Sequence, residues 1–405
     1  MNGAIPSSNE NTYGVVAVVF NPAHGTIFDA ALGKNRCKVA YAAVWQVGIF
    51  QSRDGGNTWN KVSRGSSGNA QIPADNGTVT HLVLGPADGK LFVGDSSAGF
   101  YSFAFNDTRN SGTWKFFAPS TSATWFAIAV SPTDSNLLLV FDVGGRAWRS
   151  TDGGLSFSSE LALYRNATGD IPWLSWTDEY YMTTADILFD PVVPNRLWFA
   201  EGLGVWYADG VNTGTQLIWH SRSVGIEELV SNTAVHPPGG NLVTGHWDRA
   251  VFFHEDLDVF PATHGVTSRF GSGWDFAYSA QNPEFLVANI YDHRQCCGTP
   301  ASPDNQAAYS INGGRNWTTF AGIATGQWPS TYKFGNIAVA AIDTNNIVVL
   351  PTNNLAPMYS TDRGVTWTIT SLPYNDGTPG SHPYYYTWRS VVAADNVLDH
   401  TFYIL

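Results

Sequence analysis

A short pattern that occurs four times in the chain limits the folds that the chain can adopt. The copies are Ser52–Trp59 (SRDGGNTW), Ser150–Phe157 (STDGGLSF), Ser310–Trp317 (SINGGRNW) and Ser360–Trp367 (STDRGVTW), and all read S-x-D/N-x-G-x-x-aromatic. An Asp or Asn side chain accepts hydrogen bonds from the backbone amides of a tight turn, and Gly adopts backbone angles that other residues avoid. The pattern therefore predicts four equivalent turns, each closed by an aromatic ring that packs beneath it.

These turns resemble the Asp-box of β-propellers, which joins the third and fourth strands of a blade. The copies lie at multiples of about 50 residues, a spacing typical of propeller blades. Three more positions fall on this period without a box, near Tyr101, Trp206 and Phe253. We therefore predict an all-β fold, a single seven-bladed β-propeller with Asp-box turns that forms one domain over residues 1–405. Residues 390–394 and 401–405 resemble two more strands.

Composition argues against several classes of partner. The net charge of −12 argues against nucleic acid, because its phosphates would repel the chain. No segment is long and apolar enough to span a membrane. The three cysteines, Cys37, Cys296 and Cys297, allow one disulfide and lack the spacing of a metal site. We predict a monomer with no cofactor, no metal, no nucleic-acid partner and no membrane partner.

Two features of the sequence bear on the compartment. The start, Met1-Asn-Gly-Ala, lacks the apolar core of a signal peptide, so the protein is either cytosolic or has lost its signal. Asn76, Asn106, Asn166 and Asn316 each begin an N-x-T triplet, which is a glycosylation acceptor in a secreted eukaryotic protein. Together these features favour a secreted protein.

Three segments in the middle of the chain resemble the family 74 glycoside hydrolases, the xyloglucanases. They are Gly225-Ile-Glu-Glu, Pro237-Pro-Gly-Gly and the run from Gly245-His-Trp-Asp to Asp256-Leu-Asp. The family pattern includes G-I-E-E, a P-P-x-G turn and G-D-x-G-G-F-x-H-D-D-L. The resemblance covers most of the chain, although those enzymes carry two propellers. It implies hydrolysis of a glycosidic bond by a pair of carboxylates.

The chain departs from that family at the carboxylates. The first family carboxylate lies in an A-R-T-D-I-G-G-A-Y segment, and the matching segment here, Ala42–Phe50, has Trp45 at that position. Asp248 occupies the place of the second, between Trp247 and Arg249 rather than between glycines. Asp142 is a substitute only if it acts from a different blade. One carboxylate of two is therefore missing, which argues against ordinary hydrolysis by this pair.

The predicted topology brings other chemical groups to one end of the propeller. His81, Asp186 and Asn232 lie about five positions before the proline that follows the innermost strand of their blade. Asp275 and Asn336 begin the sixth and seventh innermost strands. Loops predicted at the same end contribute Trp45, Asp95, Asp142, Glu201, His246, Trp247, Asp248, Arg249, Tyr291, Arg294 and Asn353. This inventory holds imidazoles, guanidiniums, amides and rings.

Such an inventory suits β-elimination on a uronate. A guanidinium or amide neutralises the substrate carboxylate, and a His or Tyr removes the α-proton and protonates the leaving oxygen. We predict His81 as the catalytic base or acid, with His246 second, and Arg249, Arg294 and Arg165 as neutralisers. The predicted substrate-binding residues are Trp45, Arg165, Asp186, Asn232, Trp247, Asp248, Asp275, Tyr291 and Asn336. The alternative reading is structural: the His residues bond neighbouring strands, and Asp186 and Asp275 cap strand ends.

A single short propeller with a lost carboxylate also resembles the fungal L-rhamnose-α-1,4-D-glucuronate lyases of polysaccharide lyase family 42. The first prediction is therefore a lyase that releases rhamnose from an acidic plant polysaccharide of the gum arabic type. One alternative is a family-74-like hydrolase of xyloglucan or a related glucan, which uses Asp248 and a relocated partner. Another is a glycan-binding propeller without catalysis. A sialidase is disfavoured because the F/Y-R-I-P motif is absent.

Overall fold

The computed structural model describes residues 14–63, 70–86, 88–106, 109, 111–120, 123–166, 170–176, 186–201, 204–246, 251–261, 272–291, 307–328, 335–351, 356–370 and 391–404. These residues form eight β-sheets in two compact units. Short runs rich in β-branched and aromatic residues, such as Leu138–Asp142 (LLVFD), alternate with Gly, Asn and Asp turns. This alternation favours many short strands over helices.

The first unit contains sheets 1 to 4. Sheet 1 contains β1 (Val15–Asp29), β2 (Lys34–Val44), β3 (Gly48–Ser52) and β4 (Asn60–Lys61). Sheet 2 contains β5 (Val79–Leu84), β6 (Leu91–Asp95), β7 (Gly99–Asn106) and β8 (Ser111–Phe117). Sheet 3 contains β9 (Trp125–Val130), β10 (Leu138–Asp142) and β11 (Ala147–Ser150). Sheet 4 contains β12 (Ala162–Asn166), β13 (Asp186–Phe189), β14 (Leu197–Glu201), β15 (Gly204–Ala208) and β16 (Gln216–Ser221).

The second unit contains sheets 5 to 8 and the 3₁₀ turn Pro172–Trp176. Sheet 5 contains β17 (Ser231–Val235), β18 (Leu242–His246) and β19 (Val251–His254). Sheet 6 contains β20 (Ser272–Ser279), β21 (Asn282–Tyr291), β22 (Ala307–Ser310) and β23 (Thr318–Thr319), followed by the one-turn helix α1 (Ala321–Ala324). Sheet 7 contains β24 (Asn336–Val339), β25 (Ile347–Leu350), β26 (Met358–Ser360) and β27 (Thr368–Ile369). Sheet 8 contains β28 (Val392–Ala394) and β29 (Phe402–Ile404).

The sheets are antiparallel meanders with one exception. Successive strands of a sheet pair in chain order, but β12 joins the outer edge of sheet 4 in parallel with β16. The all-β prediction is confirmed, and β28 and β29 correspond to the two strands predicted near the C-terminus. Seven sheets have three to five strands, and sheet 8 has two. Closure into a seven-bladed ring and a single domain over residues 1–405 remain predictions.

The four repeated turns have the predicted position and hydrogen bonds. Their serines end the third strands β3, β11, β22 and β26. In the second copy Ser150 Oγ accepts a hydrogen bond from the Gly154 amide at 2.9 Å, and Asp152 Oδ1 accepts one from the Ser156 amide at 2.9 Å. Gly154 has a φ of +89°, a region in which glycine is favoured. The Asp-box prediction is therefore confirmed.

The apolar core lies between the faces of successive sheets. One cluster joins sheets 1 and 2 through residues such as Tyr41 and Phe103, and another joins sheets 2 and 3 through Phe100 and Trp125. In the second unit, equivalent clusters join sheets 5 and 6, sheets 6 and 7, and sheets 7 and 8. Full burial of one such large side chain contributes about 1.5–3 kcal/mol. Sheet-on-sheet packing is thus the main source of stability within each unit.

The first strand of most sheets carries a register shift near its start. We call β1, β5, β9, β13, β17, β20, β24 and β28 the first strands of sheets 1 to 8. Shifts occur in β1, β5, β9, β17 and β20. In each of these strands one residue is left out of the pairing, and it directly precedes Ala17, His81, Ala127, Thr233 and Asp275, respectively. A bulge of this kind bends the strand and changes the direction of nearby side chains. The polar residues of these strand ends therefore do not follow simple alternation.

We expect the Asp152→Ala variant to lower the free energy of unfolding at pH 7 by about 1–2 kcal/mol, because it removes the acceptor of four turn hydrogen bonds. Hydrogen bonds from Ser156 lower the pKa of Asp152 to about 2. The pH-dependent part of its contribution is therefore present above pH 3.8 and is lost as the pH falls towards 2.

Urea denaturation at pH 7 and pH 3 measures this difference. The control is Asp258→Ala, because Asp258 is exposed and its side chain accepts no hydrogen bond within the described residues. Equal stability of Asp152→Ala and the control at pH 7 would contradict the structural role of the box.

Candidate functional site

In the first unit, four equivalent positions at the start of the first strands carry two alanines, a histidine and an aspartate. Ala17 of β1, His81 of β5, Ala127 of β9 and Asp186 of β13 each pair with the second strand of their own sheet. Sheet 3 lies between sheets 2 and 4, since β9 contacts both β5 and β13. Ala127, the equivalent residue of the intervening strand β9, has a small side chain. The two polar side chains can therefore meet across β9.

His81 and Asp186 form a hydrogen-bonded pair. His81 Nε2 lies 3.2 Å from Asp186 Oδ1, and the Ile187 amide donates to the same oxygen at 2.8 Å. The His81 side chain is 15% exposed, whereas that of Asp186 is 61% exposed. The hydrogen bond from His81 is the main cause that lowers the pKa of Asp186 from 3.8. Asp186 is therefore an ionised, accessible carboxylate that an imidazole holds in place.

The surroundings of His81 fix its ring. The edge of the imidazole meets Phe126, with 5.6 Å between ring centroids. Thr80 Oγ1 donates to the Phe126 carbonyl oxygen at 2.6 Å, which joins β5 to β9 beside the pair. His81 Nδ1 is buried and has no hydrogen-bond partner among the described residues.

A cavity of about 430 Å³ extends from this pair along the first strands β5, β9 and β13. His81 and Asp186 lie at one end, and Pro86, Pro132 and Pro191 line the other. The remaining lining residues are aliphatic apart from Phe189. The cavity thus has two polar groups at one end and apolar walls, a combination typical of small-ligand pockets.

The other predicted residues of the first unit lie elsewhere. Trp45 is partly exposed in the turn between β2 and β3, where Gln46 has a φ of 53°. Asp142 is buried and already bonded, because its carboxylate accepts from the Gly144 and Arg146 amides and from Arg146 Nε at 2.6 Å. It is therefore a poor substitute for a missing catalytic carboxylate. Arg165 belongs to β12, and its side chain lies outside the described part of the structure.

In the second unit, the predicted binding residues Asn232, Asp275 and Asn336 join neighbouring sheets. Asn232 Nδ2 donates to the Gly273 carbonyl oxygen at 2.9 Å. Asn336 Nδ2 donates to Asp275 Oδ2 at 3.0 Å, and Asn336 Oδ1 accepts from the Val391 amide at 3.3 Å. These bonds run from sheet 5 to sheet 8 through the first strands. Their roles as sugar ligands remain predictions, while the structure assigns them inter-sheet hydrogen bonds.

Asp275 is the most strongly perturbed carboxyl group of this series. It is 9% exposed, and Oδ2 also accepts from the Ile337 amide at 3.0 Å. Burial raises its pKa to about 6, although the bonds from Ile337 and Asn336 act in the opposite direction. The carboxyl group caps β24, as the structural alternative in the sequence analysis proposed.

His246 ends β18, and both of its ring nitrogens are bonded within sheet 5. Nδ1 lies 3.1 Å from Ser231 Oγ, and Nε2 lies 2.8 Å from Thr244 Oγ1. The same threonine oxygen lies 2.9 Å from His254 Nε2. Burial and then the charge of His254 lower the pKa of His246 to about 4, so the ring is neutral at neutral pH. His246 therefore has no free nitrogen for proton transfer in this arrangement.

Thr244 and His254, which were not predicted as functional residues, are linked to His246 by hydrogen bonds. The signal was present, because Thr244 and His246 are two apart in one strand and therefore lie on the same face of the sheet. His254 lies on the adjacent strand β19, opposite Leu242 on that face. The pairing of β18 with β19 is required before this cluster can be recognised.

Several predicted residues cannot be placed. Trp247, Asp248, Arg249 and Arg294 lie outside the described residues, as does the side chain of Tyr291 at the end of β21. Within the described ranges, no three His, Cys, Asp or Glu side chains are arranged as metal ligands. No helix in the described part of the chain is long and apolar enough to cross a membrane.

Comparison with known proteins gives relatives of one kind. No family model matches the chain. The chain is 27% identical over 400 residues to the xyloglucanase Xgh74A of Acetivibrio thermocellus, covering 88% of this chain and 44% of that protein. It is 24% identical over 494 residues to a probable oligoxyloglucan-reducing end-specific xyloglucanase of Neosartorya fischeri, covering 98% of this chain and 56% of that protein. The chain therefore spans about half the length of these relatives.

Solved structures show the same fold. The chain matches the GH74 enzyme of Niastella koreensis with a TM-score of 0.67 at 22% identity, over 98% of this chain and 53% of that one. It matches the GH74 xyloglucanase of Xanthomonas campestris with a TM-score of 0.68 at 22% identity, over 95% of this chain and 52% of that one. The predicted resemblance to GH74 propellers is confirmed at the level of the fold.

The lyase prediction is wrong. The relatives named above are xyloglucanases, which are hydrolases, and none is a polysaccharide lyase. The rhamnose, glucuronate and gum arabic assignments are corrected with it. The physical reason is that a set of His, Arg and amide side chains does not define one reaction. His246, for example, is fully bonded within its own sheet.

We expect the Asp275→Asn variant to remove a pH dependence of stability. The folded pKa of about 6 exceeds the ordinary value of 3.8, so the contribution of this group is fully present below pH 3.8 and is lost as the pH rises to about 6. The loss amounts to about 3 kcal/mol. An amide oxygen can still accept from Asn336 and Ile337.

Urea denaturation of the wild type and of Asp275→Asn measures the difference in their free energies of unfolding. The measurements run from about pH 3.5 to about pH 7, the range in which a carboxyl group with a raised pKa titrates. The wild type should lose stability relative to Asp275→Asn as the pH rises, whereas Asp258→Asn should follow the wild type. A difference that does not vary with pH would rule out the raised pKa.

Proposed function

We propose that the chain is a seven-bladed β-propeller that hydrolyses a xyloglucan-type glucan, with Asp248 as one catalytic carboxylate. The observation that carries this proposal is the similarity to a xyloglucanase over 88% of the chain. The shared fold supports it. Hydrolysis of a glycosidic bond needs one carboxyl group to protonate the leaving oxygen and one carboxylate to activate water or attack the sugar. Asp248 matches the family position for one of these groups.

The described residues around the Asp248 loop fit this role. The loop connects β18 to β19, and its first anchor is His246. Both nitrogens of this imidazole are bonded, which fixes the end of β18. Because the pKa of His246 is lowered to about 4, the ring carries no charge at neutral pH. A neutral His246 adds no positive charge at the end of β18, and a general acid requires a proton at the working pH.

A second candidate function is glycan binding without turnover, and Trp45 favours it. Trp45 stands where the family carries its other carboxylate, so hydrolysis requires a carboxylate from another position. An aromatic ring in that place supplies an apolar surface for a sugar ring. Trp45 is partly exposed in the turn between β2 and β3, which is consistent with such a contact.

Secretion belongs to the same proposal. A polysaccharide too large to cross a membrane has to be met outside the cell. The N-x-T triplets at Asn76, Asn106, Asn166 and Asn316 are consistent with passage through a secretory pathway. An acidic polysaccharide as partner and a monomeric state stay predictions.

The decisive experiment incubates the protein with xyloglucan and measures the release of reducing ends together with the oligosaccharide products. We expect the Asp248→Asn variant to lose on the order of 10²–10⁴-fold in rate, the contribution of a positioned acid or base. Glycan affinity should change little, because the amide keeps the size and the hydrogen-bonding ability of the side chain. Far-ultraviolet circular dichroism checks that the variant is folded.

Trp45 variants separate the two candidate functions. In a hydrolase that uses a carboxylate from another position, Trp45→Ala and Trp45→Asp should weaken glycan binding equally and retain turnover. In a binding protein that lacks only this carboxylate, the wild type should bind xyloglucan without product, and Trp45→Asp but not Trp45→Ala should gain turnover. Neither product nor xyloglucan affinity in the wild type would contradict both functions.

A further inference from the structure

We propose that His81 and Asp186 form a subsite of the first unit that binds one neutral sugar residue, with Asp186 as the hydroxyl acceptor and His81 as a positioning residue. The inference rests on the proposed function, because it names part of the glycan contact. It concerns the cavity of about 430 Å³ along β5, β9 and β13. No comparison assigns a role to these two residues.

The available acceptor on Asp186 is its second oxygen. His81 Nε2 and the Ile187 amide both bond Oδ1, and Oδ2 has no hydrogen-bond partner among the described residues. With 61% of its side chain exposed, Asp186 can be reached from solvent. An ionised carboxylate oxygen accepts from hydroxyl groups in strong, charge-assisted hydrogen bonds. A pair of adjacent sugar hydroxyls matches this acceptor.

The rest of the cavity suits the other side of a sugar ring. Its volume falls within the range of about 300–1,000 Å³ that is common for small-ligand pockets. Val83 and Leu188 are exposed in part on the lining strands, and Leu188 is 50% exposed. These aliphatic side chains offer an apolar surface to the C–H groups of a pyranose. A carboxylate at one end and apolar walls along the rest are the two contacts that a sugar needs.

The charge of the site selects a neutral sugar. His81 and Asp186 are the only titratable groups among the described residues that line the cavity. The hydrogen bond from His81 lowers the pKa of Asp186 from its ordinary value, so this carboxylate is charged at neutral pH, where a uronate is also charged. Two carboxylates in one small cavity repel each other. The subsite therefore favours a neutral hexose or pentose over a uronate.

A purely structural role fits the pair less well. In the second unit the equivalent polar residues Asp275 and Asn336 are buried and bond backbone amides of the next sheet. His246 has both ring nitrogens bonded, whereas His81 leaves Nδ1 buried without a partner in the described chain. The side chain of Asp186 is 61% exposed, whereas Asp275 is only 9% exposed. The hydrogen bond from His81 joins sheet 2 to sheet 4, but it leaves the Asp186 carboxylate accessible to a ligand.

The test measures binding of a xyloglucan-derived neutral oligosaccharide by titration calorimetry. We expect Asp186→Asn to raise Kd by about 10- to 100-fold, the size of a lost charge-assisted hydrogen bond. The matched control is Asp134→Asn, since Asp134 is also an exposed carboxylate that accepts from one backbone amide. The control should bind like the wild type. An unchanged Kd in a folded Asp186→Asn protein would overturn the subsite.

The His81→Gln variant tests positioning through the pH profile of binding. Without His81 the pKa of Asp186 returns towards its ordinary value, so the pH at which half of the affinity is lost should move upward. A weaker affinity with an unshifted profile would mean a merely structural histidine and would overturn its positioning role.

The outcomes separate this inference from the proposed function. If xyloglucan hydrolysis depends on Asp248 while Asp186→Asn binds normally, the function stands and the subsite is wrong. If the wild type binds a neutral glycan through Asp186 and never releases product, the subsite stands and hydrolysis is wrong. Tighter binding of a glucuronate-containing oligosaccharide than of its neutral counterpart would overturn the charge argument.

Discussion

Apolar packing between the faces of successive sheets stabilises both units, and it decides where chemistry can occur. Large rings such as Tyr41, Phe103 and Trp125 fill the spaces between sheets, so charged groups are mostly confined to strand ends and turns. In the turns after the third strands, Asp152 and its equivalents accept hydrogen bonds from backbone amides. Near the start of the first strands, bulges change the direction of polar side chains. Functional variation is therefore concentrated in a few positions of each sheet.

Those positions were predictable from the sequence where they depend on a pattern of neighbouring residues. The Asp-boxes, the strand that ends at each box serine, and the placement of His81 and Asp186 at strand starts all follow from nearby residues. Their partners did not follow, because His81 and Asp186 are separated by 105 positions and come from two different sheets. Local patterns carry no information about such a pairing.

The same limit explains the incorrect reaction. Imidazoles and guanidiniums were expected at one end of the propeller, and the lyase reaction was inferred from these residue types alone. In the structure both ring nitrogens of His246 are hydrogen-bonded within its sheet, and His81 is hydrogen-bonded to the carboxylate of Asp186. Asp275 and Asn336 bond each other across two sheets. The hydrogen-bond partners and the charge of a side chain, rather than its residue type, distinguish groups that bind or react from groups that stabilise the fold.

The parallel strand β12 has a consequence for the order in which the first unit assembles. The chain reaches the outer edge of sheet 4 through β12 before any other strand of that sheet has been synthesised, and its partner β16 is the last to emerge. The pairing of β12 with β16 therefore forms only after β16 has emerged, and it closes a long loop. Until then β12 is an unpaired strand of a growing chain, and its exposed Tyr164 is open to incorrect association.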